Sequence, residues 1–129
     1  MSRLEPPALD AMTEQQRIVH DKNASGPRGS ARGPLRPRRH SPGFADRAQG
    51  LGKYLRFDSN LPLRLSELAI ITTGRLWRSS FEWQIHSGIA LENGVSPEIV
   101  ESIRRRETPK FEKADEQVVY DFVVALHTD

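Results

Sequence analysis

Apolar residues recur at helical spacing through most of the chain. No stretch keeps the period-two alternation of a half-buried strand. The pattern predicts an all-α protein of five or six helices. Thr13-Glu14-Gln15-Gln16 reads as a capping box, and a weak first helix runs from it to about Asn23. Ser41-Pro42 opens a second helix, with Phe44, Ala48, Leu51 and Leu55 on one face, broken at Asp58-Ser59-Asn60. A third begins near Pro62. Its stripe is Leu61, Leu65, Leu68, Thr72 and Leu76, widened by Ala69 and Ile71. After a joint at Arg78-Ser79-Ser80, a helix from Ser80 to Asn93 aligns Phe81, Ile85 and Ile89, with Ser79 and Glu82 forming a second capping box. Gly94 suits a left-handed cap, Ser96-Pro97 starts the next helix, and Val95 and Val100 take its staple positions. Arg104 to Arg106 fall in its last turn, and Thr108-Pro109 ends it. The last helix carries Val118, Val119, Phe122, Val123 and Leu126. That face is wide enough to require cover from the rest of the chain or from a second subunit.

Between the first two helices, Ala24 to His40 holds three Gly and three Pro, which predicts a loop without regular structure and with mostly exposed arginines. We read residues 1–129 as one helical domain: 1–40 as the weak helix and basic loop, 41–129 as the core. The chain has 129 residues, 36% of them hydrophobic, enough for a core. The longest uncharged run, Trp83 to Leu91, is interrupted by Gln84, His86 and Ser87, so no membrane span is expected. With no apolar block at the N-terminus, a cytoplasmic protein is expected. The absence of cysteine excludes disulfides and thiol redox chemistry. Net charge is +2, but from Lys22 to Ala45 there are six bases and no acid, whereas from Glu92 onward acids outnumber bases nine to five.

One constellation carries candidate chemistry. Glu82 and His86 are four apart and share a helix face, Ser79 stands at that helix's start, and Glu67 lies in the preceding helix. A helical hairpin jointed near Ser79 returns Glu67 towards His86. A carboxylate beside an imidazole fixes its tautomer and raises its basicity, as a general acid/base requires. The plainer readings are that Glu82 completes a cap, His86 is a packed or surface histidine and Glu67 an exposed helix residue. His20, His40, His86 and His127 make no metal-binding pair, and neither a metal nor another cofactor is expected.

Leu61-Pro-Leu-Arg-Leu-Ser-Glu-Leu-Ala-Ile-Ile, Gly74-Arg75-Leu76-Trp77, Phe81-Glu82-Trp83-Gln-Ile-His86 and Gly94-Val95-Ser96-Pro97-Glu98 together resemble the carboxymuconolactone decarboxylase family, which also holds the alkylhydroperoxidase D type. Looser matches extend to His40-Ser41-Pro42, Asp46-Arg47-Ala48 and Tyr120-Asp121-Phe122. The resemblance implies an all-α bundle, homo-oligomers and a site on the helical hairpin. In the peroxidase branch that site is Glu, Cys-x-x-Cys, His. Here those places are Glu67, Ser79, Glu82 and His86, so a thiol peroxidase is excluded. The decarboxylase branch implies removal of CO2 from a carboxylated lactone of aromatic catabolism. His86 would be the acid/base, Glu67 its orienting partner and Glu82 an assistant. Arg75 or Arg64, with Ser79 and His40, would bind the carboxylated small molecule. Two departures stand out: Arg36-Pro37-Arg38-Arg39 replaces apolar pocket residues, and the chain stops after the helix of Phe122, where relatives continue. A non-catalytic oligomeric relative is therefore the main alternative. A helix-turn-helix nucleic-acid module over Ala90 to Val100 is a lesser one, because Glu98 and Glu101 occupy the front of its second helix.

Overall fold

The computed structural model describes residues 4–26, 29 and 33–128, and among these it is helical without a strand. Among the described residues seven α-helices occur: α1 (Glu14–Ser25), α2 (Leu35–Arg38), α3 (Pro42–Lys53), α4 (Leu63–Leu76), α5 (Ser80–Glu92), α6 (Pro97–Arg105) and α7 (Ala114–Thr128), with a π-helical turn at Tyr54–Asp58 after α3. They form two compact units, Met1–Ser59 and Asn60–Asp129.

In the first unit, α1 starts at the expected capping box. Thr13 Oγ1 accepts from the Gln16 amide at 3.3 Å, and Gln16 Oε1 accepts from the Thr13 amide at 3.0 Å. Its core is thin, with Met12, Val19 and Ala45 buried. Lys22 Nζ reaches Asp46 at 2.9 Å and ties α1 to α3. One expectation fails here, and one arginine departs from its neighbours. Leu35–Arg38 forms a short helix inside the predicted loop, and Arg39 is buried rather than exposed. The Arg39 guanidinium lies between the Met12 sulfur, His20 Nδ1 at 3.1 Å and the Arg36 carbonyl. Burial, then the nearby Arg36 charge, lowers its pKa. Arg28 and Arg32 lie outside the described residues. Phe44 and Leu51 of α3 and Leu55 of the π-helical turn, from the expected stripe, are also exposed, Ala45 being the buried residue of α3. Ser41 precedes α3 without a side-chain capping bond.

The second unit is built around α4, which packs on α5, α6 and α7. Leu68 and Ile71 of α4 meet Ala90, Val95, Ile99, Val100 and Ile103, with Trp83, Phe111, Val119 and Tyr120 at the margin. Fully burying a side chain of this size is worth about 1.5–3 kcal/mol, so this cluster dominates the unit's stability. Val95 and Val100 bracket the Ser96 cap, whose hydroxyl accepts from the Ile99 amide at 3.3 Å. Gly94, at φ 92°, turns the chain between α5 and α6.

Three helices here close with a left-handed residue and a bond from the next amide back five positions. Ser79 N–H donates to the Gly74 carbonyl, Val95 N–H to Ala90 and Glu107 N–H to Ser102. The left-handed residues are Arg78 (φ 57°), Gly94 and Arg106 (φ 65°). Arg106 thus ends α6 before Thr108-Pro109 is reached. Arg64, at the start of α4, bonds Asp115 at 2.6 Å and also Glu116, at the start of α7. Trp77, just past the end of α4, donates Nε1–H to His127 Nδ1 near the end of α7 at 3.3 Å. The two helices therefore run parallel, while α5 returns antiparallel to α4.

Several apolar positions face outward, contrary to the stripes. Leu61 and Leu76 flank the buried part of α4, and Phe81 and Ile85 of α5 are exposed. The inner face of α5 is instead Trp83, His86 and Ala90. On α7, Val123 is buried, whereas Val118, Phe122 and Leu126 are about two-thirds exposed at 66%, 63% and 64%.

Candidate acid-base site

Glu67 sits on the inward face of α4, between Leu65 and Leu68, with its side chain fully buried. The α4–α5 hairpin brings His86 back to it. His86 Nδ1 lies 2.6 Å from Glu67 Oε2, the close distance of a charge-assisted bond. On the other side of the ring, Nε2 lies 3.3 Å from Glu82 Oε2, one turn earlier on α5. Exposure increases along this file, from 0% at Glu67 to 12% at His86 and 35% at Glu82. The buried carboxylate anchors the ring, and the outer one meets solvent.

The local reasons are legible. Ser79 caps α5, its hydroxyl accepting the Glu82 amide at 3.4 Å, so the first turn of α5 is fixed beside the end of α4. The expected reciprocal bond of a capping box does not form, because the Glu82 carboxylate turns to His86 instead. Gly74 permits the approach: a Cβ there would stand 3.2 Å from the Glu82 Cβ. In the sequence Gly74 stood out only as part of the Gly74–Trp77 motif, with no packing role assigned. Its signal was a glycine inside an apolar helix with no turn to serve.

Both ring nitrogens face carboxylates. These bonds are satisfied together when both nitrogens carry protons, or when Nδ1 carries one and Glu82 holds the other. The two carboxylates address opposite edges of the ring and do not converge on a point. Among the described residues no group of three His, Cys, Asp or Glu side chains could hold a metal ion.

Glu82 also lines a cleft of about 360 Å3 with Ala69, Ile70, Thr73, Gly74, Trp77 and Ser79. The predicted substrate-binding arginines are elsewhere. Arg64 is committed to α7, where the hydrogen bond of Asp115, then that of Glu116, raises its pKa. Arg75 lines a different cleft and donates Nε–H to the Arg104 carbonyl at 2.8 Å. Ser79 lines both clefts. His40 belongs to the first unit, with Nε2 at 2.7 Å from the Glu5 carbonyl oxygen. Arg104 and Arg105, on the second helix of the nucleic-acid reading, are ion-paired with Glu101.

An all-helical unit with a buried Glu–His pair on a helical hairpin defines the class. The profile of the carboxymuconolactone decarboxylase family matches residues 42–114, more than half of the chain, and the chain belongs to that family. No curated protein and no solved structure matches it significantly. Among the described residues no helix is long and apolar enough to cross a membrane.

Proposed function

We propose that this chain is a proton-transfer enzyme that decarboxylates a carboxylated lactone. The observation that carries the reading is the Glu67–His86–Glu82 file, a buried carboxylate, an imidazole and an outer carboxylate that opens on a cleft. Family membership is compatible with this reaction and also with a non-catalytic relative. In the reaction, the bond between carbon and carboxylate breaks, and its electron pair delocalises into the lactone's conjugated system. CO2 leaves, and a proton takes its place on carbon. Glu82 delivers that proton from the wall of the cleft. His86 replenishes it, and solvent restores His86. Glu67 positions the ring and fixes its tautomer. Ala69, Ile70 and Trp77 make one wall of the cleft apolar, which favours neutral CO2 over the substrate carboxylate.

The test is CO2 release from carboxylated lactones by the full chain. Glu82→Gln should abolish most turnover, and His86→Asn and Glu67→Gln should each remove most of it, with helix content by circular dichroism unchanged. A folded wild type that releases no CO2 from any carboxylated lactone overturns the reading and leaves a non-catalytic member of the family.

A further inference from the structure

A second cleft, of about 370 Å3, opens on the other side of the α4–α5 joint and differs in chemistry from the first. Four arginines line it: Arg75, Arg78, Arg104 and Arg106, with Ser79 and Trp83, and among the described residues no acidic one belongs to its lining. Arg104 is taken by Glu101, with two bonds of 2.6 Å. The other three are free to bind. Arg75 is held by its Nε bond to the Arg104 carbonyl, which leaves both terminal nitrogens without a partner among the described residues. The side chains of Arg78 and Arg106 likewise have no partner among the described residues.

The backbone gives an independent sign. Arg78 and Arg106 are the two non-glycine residues with positive φ among the described residues, at 57° and 65°, and both line this cleft. Each closes a helix where glycine is the usual and less strained choice. Gly94 fills the equivalent position between α5 and α6, so the chain does use glycine where no side chain is needed. Strained positions of this kind persist where their side chains serve a function.

We infer that this cleft binds a small molecule bearing a phosphate group. Three free guanidiniums exceed what a single carboxylate neutralises, whereas a phosphate monoester or diphosphate offers two or more charges and several oxygens to planar forks. The Ser79 hydroxyl and the start of α5 add donors at the same wall. The volume lies within the range of small-ligand pockets and exceeds the needs of an inorganic ion alone. The inference is independent of the acid-base reading, since neither His86 nor Glu82 lines this cleft.

Pyrophosphate is the probe, titrated calorimetrically against the full chain at physiological salt, with citrate as a polyanion without phosphate. Pyrophosphate should bind at submillimolar concentration and citrate more weakly. The Arg78→Gly/Arg106→Gly double variant should bind pyrophosphate at least about tenfold more weakly, as expected for the loss of charge-assisted bonds. Its thermal midpoint should stay the same or rise, because glycine accepts the left-handed conformation. Arg78→Asn/Arg106→Asn, also tolerant of that conformation, serves as the second variant and should weaken binding likewise. No binding of pyrophosphate, equal binding of citrate, or unchanged affinity in either variant overturns the inference.

Discussion

Replacing Arg64 by Met tests the architecture of the second unit most directly. The Arg64 side chain is 19% exposed and Glu116 only 3%, and the guanidinium bridges that buried carboxylate to Asp115. Removing one partner of a buried pair costs about 3–5 kcal/mol, because the other charge is left without compensation. Here Lys113 Nζ remains 3.6 Å from Glu116 and offsets part of the loss. Asp115 is half exposed, so solvent screens its share of the pairing. A net loss of about 2–3 kcal/mol is therefore expected. It is read from urea unfolding followed by circular dichroism. Glu116→Leu supplies the second corner of a double-mutant cycle, and the double variant should be less destabilised than the two singles summed. Asp115 adds a pH signature. The hydrogen bond from Arg64 holds its carboxyl below the ordinary value. Its stabilising share is thus full above the unfolded pKa and lost as pH falls through the depressed folded one. Stability of Arg64→Met should consequently fall less steeply with acid than that of the wild type. A loss below about 0.5 kcal/mol, the level of an ordinary surface substitution, or strict additivity in the cycle would refute the reasoning. So would unchanged stability with a raised KM, the sign of a substrate-binding arginine.

Three further outcomes follow from the geometry. Gly74→Ala gains about 1 kcal/mol of helix propensity but crowds Glu82 by about 1–3 kcal/mol; decarboxylation should fall more than stability does, as paired activity and urea measurements would show. Gly94→Ala should cost about 1–2 kcal/mol, because φ is 92° there; unchanged thermal unfolding would contradict the assigned turn. We propose that Val118, Phe122 and Leu126 meet a second copy of the chain, so Phe122→Glu/Leu126→Glu should lower the mass by sedimentation; a monomeric wild type would remove that proposal.

Helix extents were largely legible in the sequence because caps are local. Thr13, Ser79, Gly94 and Ser96 each act within a few residues, and all four mark the turns they were expected to mark. Helix faces were less so. Phe81 and Ile85 suggested one face of α5, yet that helix turns Trp83, His86 and Ala90 inward, because the opposing surface of α4 offers Glu67 and Gly74. The face is thus set by a partner that periodicity does not see. The Glu67–His86 pairing was inferable because both residues lie within one hairpin. The engagement of Arg64 was not, its partners being 51 and 52 residues away. Arg39 and Leu35–Arg38 were missed because Gly and Pro around them signal a loop, while the burial of Arg39 depends on Met12 and His20, far along the chain.

The parallel arrangement of α4 and α7 sets an order of assembly. Parallel neighbours cannot be joined by a tight turn, and here the whole of α5 and α6 forms the crossover. Closing the 52-residue loop from Arg64 to Glu116 costs about 3.5 kcal/mol in its length-dependent part, against about 2.6 for the 19-residue loop from Glu67 to His86. The hairpin bearing the Glu67–His86 pair is the cheaper closure, so α7 is expected to dock after it. Arg64→Met should therefore speed unfolding and leave the refolding rate nearly unchanged, with a φ-value near zero in stopped-flow chevrons. The charges that lock the unit shut would then act as a late clasp, governing how long the native state lasts rather than how quickly it is reached.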